Sequence, residues 1–388
     1  MTQEFIPYGR QSIATEDIEA VVDVLRSEWL TQGPVVPRFE QAVADYCGAD
    51  RGVAVNSATS ALHIACLALG LGAGDWLWTS PITFVASANA GRYCGARVDF
   101  VDIDPKTCNM SVEALRTKLE QAERNGTLPK VVMPVHFAGQ PCDMPTIAEL
   151  ARHYGFRMIE DASHAIGARY GGTKVGACTH SDITVFSFHP VKIITTGEGG
   201  LATTNDSQLA RHMERLRSHG ITRDPAEMDG EPDGPWYYQQ IELGFNYRMT
   251  EMQAALGLQQ LERLDAYVTR RNELAEQYDN ALADLPMNTP WQSPDSWSAR
   301  HLYPVRIMPE ARRTRREVFD GLREQGIGVN VHYIPVYRQP DYQRLGYPLA
   351  ACPAAETYYS GAVSLPLFPG LTTAQQERVI TLLRGLLQ

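Results

Sequence analysis

DITVFSFHPVKIITTGEGGLATT, residues 182–204, places a lysine in a loop between two apolar runs. The runs at about 182–188 and 199–204 are rich in β-branched residues, which favours strands. Lys192 in the loop has apolar residues on both sides, and it is one of only five lysines in a chain with thirty arginines. Its stem could pack while its amine reaches water, so this stretch alone leaves a purely structural role open.

The same strand-like signal recurs along the first half of the chain and alternates with helical periodicity. Strands are predicted at about 52–56, 76–79, 97–103, 130–137 and 156–161, in addition to 182–188 and 199–204. Helices are predicted near 15–28, 35–47, 58–70, 83–93, 111–124, 143–154 and 207–217. Strand and helix in alternation predict an α/β fold, with a mostly parallel sheet sandwiched by helices.

The second half of the chain has a different pattern. A long helical pattern runs from Thr250 to about 284, and it is followed by strand-like HLYPVRIM and GVNVHY and by helical 309–325 and 372–387. We therefore predict an N-terminal segment plus large domain over 1–250, and a connecting helix plus smaller α+β C-terminal domain over 251–388. The acidic, Pro- and Gly-rich segment 221–240 is predicted to be a mobile surface loop.

Composition excludes several classes of protein. A net charge of −10 over 388 residues provides no basic stripe for nucleic acid. No run approaches the roughly 18 apolar residues of a membrane span, and the N-terminus lacks the pattern of a secretory signal. The seven cysteines are scattered without a CxxC pair, which predicts reduced thiols in a cytoplasmic protein and no metal site.

Polar residues follow several of the predicted strands. Ser57, Thr59 and Ser60 begin a helix, where they would bind an anion or simply cap the helix. Asp161 ends an apolar strand, and a buried carboxylate needs a cation or several donors as partners. Because ligands gather at the carboxyl ends of parallel strands, these groups should meet near Lys192.

One cofactor, pyridoxal 5'-phosphate, needs all of these groups. It requires a lysine amine, a carboxylate at the pyridine nitrogen, a phosphate site and a stacking side chain. Lys192, Asp161, the turn at 57–60 with Ser187, and Phe84 supply these four functions. The competing dinucleotide site, GLGAGD at 70–75, follows a helix instead of a strand and is better interpreted as a helix end and turn.

Several motifs together resemble those of the DegT/DnrJ/EryC1/StrS family of aminotransferases. The resemblance covers nearly the whole chain and is carried by LTQGPVVPRFE, NSATSALHIA, SPITFVASAN, PVHFAGQPCDM, IEDASHAIGARYGG, FSFHPVKIITTGEGG, RSHG and GFNYRMTEMQAALGLQQL. It implies a fold-type I, pyridoxal-phosphate-dependent transaminase. It also implies a homodimer whose active sites are shared between subunits.

The family pattern assigns a role to each matching residue of this chain. Lys192 matches the Schiff-base lysine, Asp161 the partner of the ring nitrogen, and His164 the position beside the ring's phenolic oxygen. Thr59, Ser60 and Ser187 match phosphate ligands, and Phe84 matches the stacking position. Asn246 would reach the phosphate of the partner subunit's cofactor. Candidate sugar contacts are Thr31, His219, His332 and Tyr333.

The resemblance also implies a reaction. Glutamate would give its amino group to the cofactor, leaving 2-oxoglutarate and pyridoxamine phosphate. The amine would then pass to the 4-keto carbon of a UDP-linked 4-keto-6-deoxy-N-acetylhexosamine, as in the branch of the family that serves pseudaminic acid synthesis. Other 4-keto sugars, of the 4-amino-arabinose type or linked to dTDP, remain open, as do a non-catalytic cofactor-binding regulator and a nicotinamide-dependent oxidoreductase.

Overall fold

A computed structural model describes residues 4–349 and 351–388 of the chain. The strands of the first half are β1 (Arg51–Val55), β2 (Trp76–Thr79), β3 (Arg97–Phe100), β4 (Val131–Met133), β5 (Arg157–Asp161), β6 (Arg169–Tyr170), β7 (Thr173–Lys174), β8 (Ile183–Ser187) and β9 (Gly200–Thr204). Those that follow are β10 (Ile221–Thr222), β11 (Gln239–Gln240), β12 (Met287–Asn288), β13 (Ser296–Trp297), β14 (Tyr303–Ile307) and β15 (Ala362–Leu365).

The helices alternate with these strands. Those of the first half are α1 (Thr15–Arg26), α2 (Val35–Cys47), α3 (Ala58–Ala68), α4 (Val85–Tyr93), α5 (Val112–Asn125), α6 (Met144–Tyr154) and α7 (Ser207–Arg217). Those of the second half are α8 (Glu251–Glu262), α9 (Leu264–Ala281), α10 (Arg315–Glu324), α11 (Pro340–Arg344), α12 (Pro353–Gly361) and α13 (Thr373–Leu387). Short 3-10 turns lie at Phe137–Gly139, Pro225–Glu227 and Val336–Arg338. None of the described helices is both long and apolar enough to cross a bilayer.

A seven-stranded sheet in the order β1-β9-β8-β5-β4-β2-β3 forms the centre of the molecule. The neighbours from β8 to β3 pair in parallel, whereas β9 pairs antiparallel with both β8 and β1. Six strands therefore run in one direction and β9 runs in the other. The predicted fold class, a mostly parallel α/β sheet, is confirmed, and the carboxyl ends of six strands meet at one edge.

Apolar side chains bury both faces of this sheet. One face packs against α3, α4 and α7 through a single large cluster. The opposite face packs against α2, α8 and α9 near one end and against α5 and α6 near the other. Because side chains alternate along a strand, neighbouring residues at a strand end face different layers. This alternation separates Glu160 from Asp161 at the end of β5.

A second sheet, β12-β14-β15, lies in the C-terminal part of the chain. It shares a core with α9, α10 and α13, and Ile6 from the N-terminal segment joins that core. Residues such as Val336, Tyr342 and Tyr358 instead pack into the large cluster beside the central sheet. The division of the chain near residue 250 stays a prediction.

Three predicted elements differ in the structure. The long helix after Thr250 is broken at Arg263, which has a non-helical backbone and whose guanidinium lies 2.5 Å from the buried Asp17 carboxylate. GVNVHY is not a strand, because within it only Asn330 forms an isolated bridge, to Ser364. The helix predicted at 309–325 begins only at Arg315, where Thr314 caps it by accepting the Glu317 N–H.

Candidate active site

One cavity of about 1010 Å³ lies at the carboxyl edge of the central sheet. Nine of the twelve predicted site residues line it: Thr59, Ser60, Phe84, Asp161, His164, Ser187, Lys192, His332 and Tyr333. They come from elements far apart in sequence, including the start of α3, the ends of β5 and β8, and the segment after Asn330. The sheet topology therefore gathers them at one place.

Lys192 sits in the turn that follows β8. Its backbone N–H donates to the His189 carbonyl at 2.9 Å, and the Thr195 hydroxyl donates to the Phe188 carbonyl at 2.9 Å, which fixes the loop. Each of the other four lysines has a hydrogen-bond, ion-pair or ring partner. The Lys192 amine has no such partner within 4–349 and 351–388. Burial lowers the pKa of this amine to about 8, although the negative charge of Asp161 opposes the shift.

Asp161 is a buried carboxylate held by two donors. The Ser87 hydroxyl donates to Oδ2 at 2.6 Å, and the Ser163 backbone N–H donates to Oδ1 at 3.1 Å. Its neighbour Glu160 faces the opposite side of the sheet, where its Oε2 lies 2.6 Å from Nε2 of His136. The strand therefore turns only Asp161 toward the cavity, with its orientation fixed.

His164 is held in one neutral form. Its Nδ1 accepts the Ala138 backbone N–H at 3.3 Å, so the ring proton sits on Nε2, 3.1 Å from the Tyr333 hydroxyl oxygen. Burial and, secondarily, the charge of Lys192 hold the pKa of His164 well below its usual range. His164 can therefore donate a hydrogen bond from Nε2 at neutral pH without adding a charge to the site.

The start of α3 forms a polar concavity. Ser57 caps the helix by accepting the Ser60 N–H at 3.2 Å, and the Ser60 hydroxyl donates to Asn56 at 2.7 Å. Gly200 on β9 lies so close that a β-carbon there would be 2.5 Å from the Ala58 nitrogen. The glycine lets the sheet approach the helix start, where backbone N–H groups and hydroxyls suit a phosphate.

Phe84 presents an apolar face to the cavity. It is the residue before α4 and remains 60% exposed, with its ring centroid 6.4 Å from that of Tyr333. An aromatic side chain exposed inside a cavity is suited to stack on a planar ring. Together with an unpaired amine, an oriented carboxylate and a helix start, it fits the donor set that pyridoxal phosphate requires.

Three predicted site residues lie outside this cavity. Thr31, His219 and Asn246 are all exposed, and none of them lines the cavity of their own chain. Their roles stay predictions. His332 does line it, and its Nδ1 also lies 2.8 Å from the Ser364 hydroxyl.

Several lining residues were missed by the sequence analysis: Tyr8, Ser87, Glu198, Gln253, His301 and Asn330. Ser87 could have been found, because it lies one helical turn after Phe84 in ITFVAS. The others approach from segments whose patterns predict helix, strand or loop with no polar cluster. Their positions depend on tertiary packing.

The comparison with known families identifies the chain at this point. A model of the DegT/DnrJ/EryC1/StrS aminotransferase family matches residues 11–384. The chain belongs to this family. The resemblance inferred from the motifs is thereby confirmed.

Relatives of this aminotransferase match over nearly their whole length. The spore coat polysaccharide biosynthesis protein SpsC of Bacillus subtilis is 40% identical over 388 residues, which is 99% of this chain and 97% of SpsC. Helicobacter pylori PseC, an aminotransferase involved in the biosynthesis of pseudaminic acid, superposes with a TM-score of 0.90 at 30% identity and 99% coverage of each chain.

Protein Spr1654 of Streptococcus pneumoniae has been solved in forms with pyridoxal phosphate and with pyridoxamine phosphate. The pyridoxal phosphate form superposes with a TM-score of 0.88 at 28% identity, covering 99% of this chain and 100% of Spr1654. The predicted cofactor, pyridoxal 5'-phosphate, is confirmed. No group of three or more potential metal-ligating side chains occurs in the described ranges of this aminotransferase.

The lowered pKa of Lys192 predicts how fast the cofactor attaches. Only the neutral amine reacts, so the attachment rate to apoprotein should rise about tenfold per pH unit and level off above about pH 8. Absorbance after rapid mixing with pyridoxal phosphate measures this rate. A free lysine derivative, which titrates near its ordinary pKa of 10.5, corrects for titration of the cofactor itself. A protein rate that keeps rising in parallel with that reference would contradict the lowered pKa.

Proposed function

We propose that this enzyme moves an amino group from L-glutamate to the 4-keto carbon of a UDP-linked 4-keto-6-deoxy-N-acetylhexosamine. The product would be a 4-amino-4,6-dideoxy sugar, as needed for pseudaminic acid synthesis. One observation carries the proposal: the unpaired, partly buried Lys192 amine and the oriented Asp161 carboxylate share one cavity at the sheet edge.

Lys192 is the base of both half-reactions. Pyridoxal phosphate, when bound, accepts the electron pair that a substrate carbon releases on losing a proton. A neutral amine on Lys192 takes the proton from the α-carbon of glutamate, and in the second half-reaction it supplies a proton to sugar carbon four. Because one amine acts from one side, the new stereocentre has a single configuration.

Asp161 and His164 adjust the environment of the reacting carbon. Asp161, oriented by Ser87, holds a proton at the ring nitrogen. His164 carries its proton on Nε2, which lies 3.1 Å from the Tyr333 hydroxyl oxygen, and the family pattern places this side chain beside the phenolic oxygen of the cofactor ring. Asp161 thereby favours withdrawal of electrons from the reacting carbon into the ring. His164 stabilises negative charge and stays neutral itself, because its pKa lies well below the usual range.

A second copy of the chain is part of this proposal. Thr31, His219 and Asn246 are exposed and lie outside the cavity of their own chain. In a homodimer they could face the cavity of the partner, which is the arrangement that the family pattern implies for Asn246. A single chain would then contribute residues to two active sites.

Other nucleotide 4-keto sugars are the alternative substrates. The similarity to PseC, an aminotransferase of pseudaminic acid biosynthesis, supports the proposed product, whereas the higher identity to the spore coat polysaccharide biosynthesis protein SpsC leaves other sugars open. No lining side chain distinguishes UDP from dTDP by its chemistry. Sugars of the 4-amino-arabinose type and dTDP-linked sugars therefore belong in the test.

The decisive experiment is an assay of purified enzyme with glutamate and a panel of nucleotide 4-keto sugars. We expect glutamate to bleach the absorption band of the bound cofactor and the UDP-linked N-acetyl sugar to restore it with formation of the 4-amino product. If glutamate bleaches the band and only another sugar restores it, that sugar is the substrate instead. An unchanged spectrum with glutamate would contradict aminotransfer from this donor and would support a non-catalytic role.

A further inference from the structure

His301 is a buried histidine in the cavity wall whose ring nitrogens have no partner. The residue is 4% exposed and lines the cavity. Its Nδ1 is enclosed and has no hydrogen-bond partner in the described part of the chain. Nε2, the ring nitrogen that is open to the cavity, makes no hydrogen bond to residues 4–349 or 351–388 either. Leaving a buried polar group unpaired is costly, so this ring is expected to find its partner in a bound ligand.

The main chain around His301 is fixed from two sides. The buried Arg271 guanidinium on α9 donates to the His301 carbonyl at 3.2 Å and to the Leu367 carbonyl at 2.9 Å. On the other side, the Ala299 N–H donates to the Gly139 carbonyl at 3.0 Å. A β-carbon at Gly139 would lie only 3.0 Å from the His301 backbone nitrogen, so the two segments are in close contact. The fold therefore fixes where the His301 side chain enters the cavity.

The His301 ring is neutral and carries its proton on Nε2. Burial holds the pKa of this ring well below its usual range, and neighbouring groups that can carry positive charge lower it further: His164, Lys192, Arg271 and His332. A neutral imidazole has one N–H donor and one acceptor nitrogen. Because buried N–H groups without an acceptor are rare, the proton does not lie on the enclosed Nδ1. His301 therefore presents an N–H donor to the cavity.

His164, the neighbouring donor, is already engaged within the protein. Its Nδ1 accepts the Ala138 N–H, and its single N–H, on Nε2, lies 3.1 Å from the Tyr333 hydroxyl oxygen. The ring centroids of His164 and His301 are 4.5 Å apart, so both side chains belong to the same part of the cavity wall. A ligand oxygen that binds there finds a free N–H on His301.

The charges around His301 favour an anionic ligand oxygen. Lys192 and Arg271 both lower the pKa of the ring, which means that their positive charges act at this place. A hydrogen bond to an ionised oxygen is also stronger than one to a neutral oxygen. Two such oxygens enter the loaded site: the phenolic oxygen of the cofactor, which neighbours the carbon that bonds to Lys192, and a carboxylate of the amino donor.

We infer that His301 donates a hydrogen bond from Nε2 to an anionic oxygen of the loaded site, supplied by the cofactor's phenolic group or by a carboxylate of the amino donor. His301 is thus assigned as a binding residue of the active site. The phenolic oxygen needs only the confirmed cofactor. The carboxylate rests on the proposed function, in which glutamate is the amino donor.

The first measurement is a pH titration of the absorption band of the holoenzyme without substrate. A donor to the phenolic oxygen stabilises its negative charge, so the proton on the neighbouring Lys192 nitrogen leaves at lower pH. His301→Leu removes the donor and should raise the midpoint by about one to two pH units. His301→Gln, whose amide nitrogen reaches the Nε2 position, should recover much of this shift. His301→Asn, whose amide reaches only the Nδ1 position, should recover none of it.

The second measurement tests the carboxylate. Glutarate, an unreactive dicarboxylate, is titrated into the holoenzyme by calorimetry. If the donor's carboxylate is the acceptor, His301→Leu should raise the dissociation constant of glutarate at least about tenfold while the midpoint of the absorption band stays unchanged. His301→Gln should again recover much of the loss, and His301→Asn should not.

Tyr303→Phe is the matched control for both measurements. It removes a buried hydroxyl that donates to Asp279 at 2.5 Å, two residues from His301, and it does not line the cavity. Both the midpoint and the glutarate constant should keep their wild-type values in this variant. Equal changes in Tyr303→Phe and His301→Leu would overturn the inference, because both quantities would then follow loosening of the segment instead of loss of the donor.

The outcomes separate the inference from the proposed function. A change in either quantity in His301→Leu that His301→Gln recovers supports the inference and identifies the oxygen. Wild-type values of both quantities in His301→Leu overturn it, as does recovery by His301→Asn in place of His301→Gln. Thermal unfolding checks each variant, and the comparison of Gln with Asn decides the matter if His301→Leu does not fold. Wild-type enzyme that is inert to glutamate would refute the proposed function and leave the titration of the absorption band as a valid test.

Discussion

Lys192→Ala should lose turnover by at least about 10³-fold, the largest effect expected of any single change in this chain. The amine is both the attachment point of the cofactor and the base, and no other lysine lines the cavity in the described residues. Steady-state rates with glutamate and the best sugar of the panel measure the loss. Lys174→Ala is the matched control, because that amine donates to the Tyr46 carbonyl away from the site, and it should keep the rate within about twofold.

Chemical labelling tests the same residue without using turnover. Borohydride reduction of the wild-type holoenzyme should fix the cofactor irreversibly to the peptide that contains Lys192. The Lys192→Ala enzyme should carry no label, while the Lys174→Ala enzyme should be labelled like the wild type. Label on a peptide containing Lys106, Lys118, Lys130 or Lys174 in the wild-type protein would refute the assignment.

The sequence predicts the central sheet well because its signal is local. β2, β5, β8 and β9 are short apolar runs bounded by polar or glycine residues, and each lies within a residue or two of its predicted place. The direction of β9 was not predictable in this way, because an antiparallel partner and a parallel partner bury the same face. β15, the run AVSL at 362–365, was missed although Ser360 and Gly361 precede it, because four residues give too weak a pattern and only pairing with β14 reveals the strand.

The site shows the same division between local and tertiary information. Lys192, Asp161 and the start of α3 follow strands directly, so strand order alone brings them together. Ser87 and His301 act through contacts across the fold: one donates to Asp161, and the other lies with its ring centroid 4.5 Å from that of His164. No spacing in the sequence encodes those contacts.

Asp161→Asn should retain the cofactor and lose about 10²- to 10³-fold in turnover. The amide occupies the same volume, and the Ser163 N–H can still donate to its oxygen. A neutral amide cannot hold a proton at the ring nitrogen, so electron withdrawal from the reacting carbon weakens more than binding does. Absorbance of the bound cofactor measures retention, and single-turnover bleaching by glutamate measures the chemical step.

Ser87→Ala is the matched variant, because it keeps the Asp161 charge and removes one hydrogen bond of 2.6 Å that orients it. Loss of a hydrogen bond to a charged group costs about 1.5–3 kcal/mol. The rate at which glutamate bleaches the Ser87→Ala enzyme should therefore fall by only about 10- to 10²-fold. A graded order, wild type above Ser87→Ala above Asp161→Asn, is the signature of a carboxylate that acts by its charge and orientation. If Asp161→Asn bleaches at the wild-type rate, the ring nitrogen needs no negative partner in this enzyme and the role assigned to Asp161 is wrong.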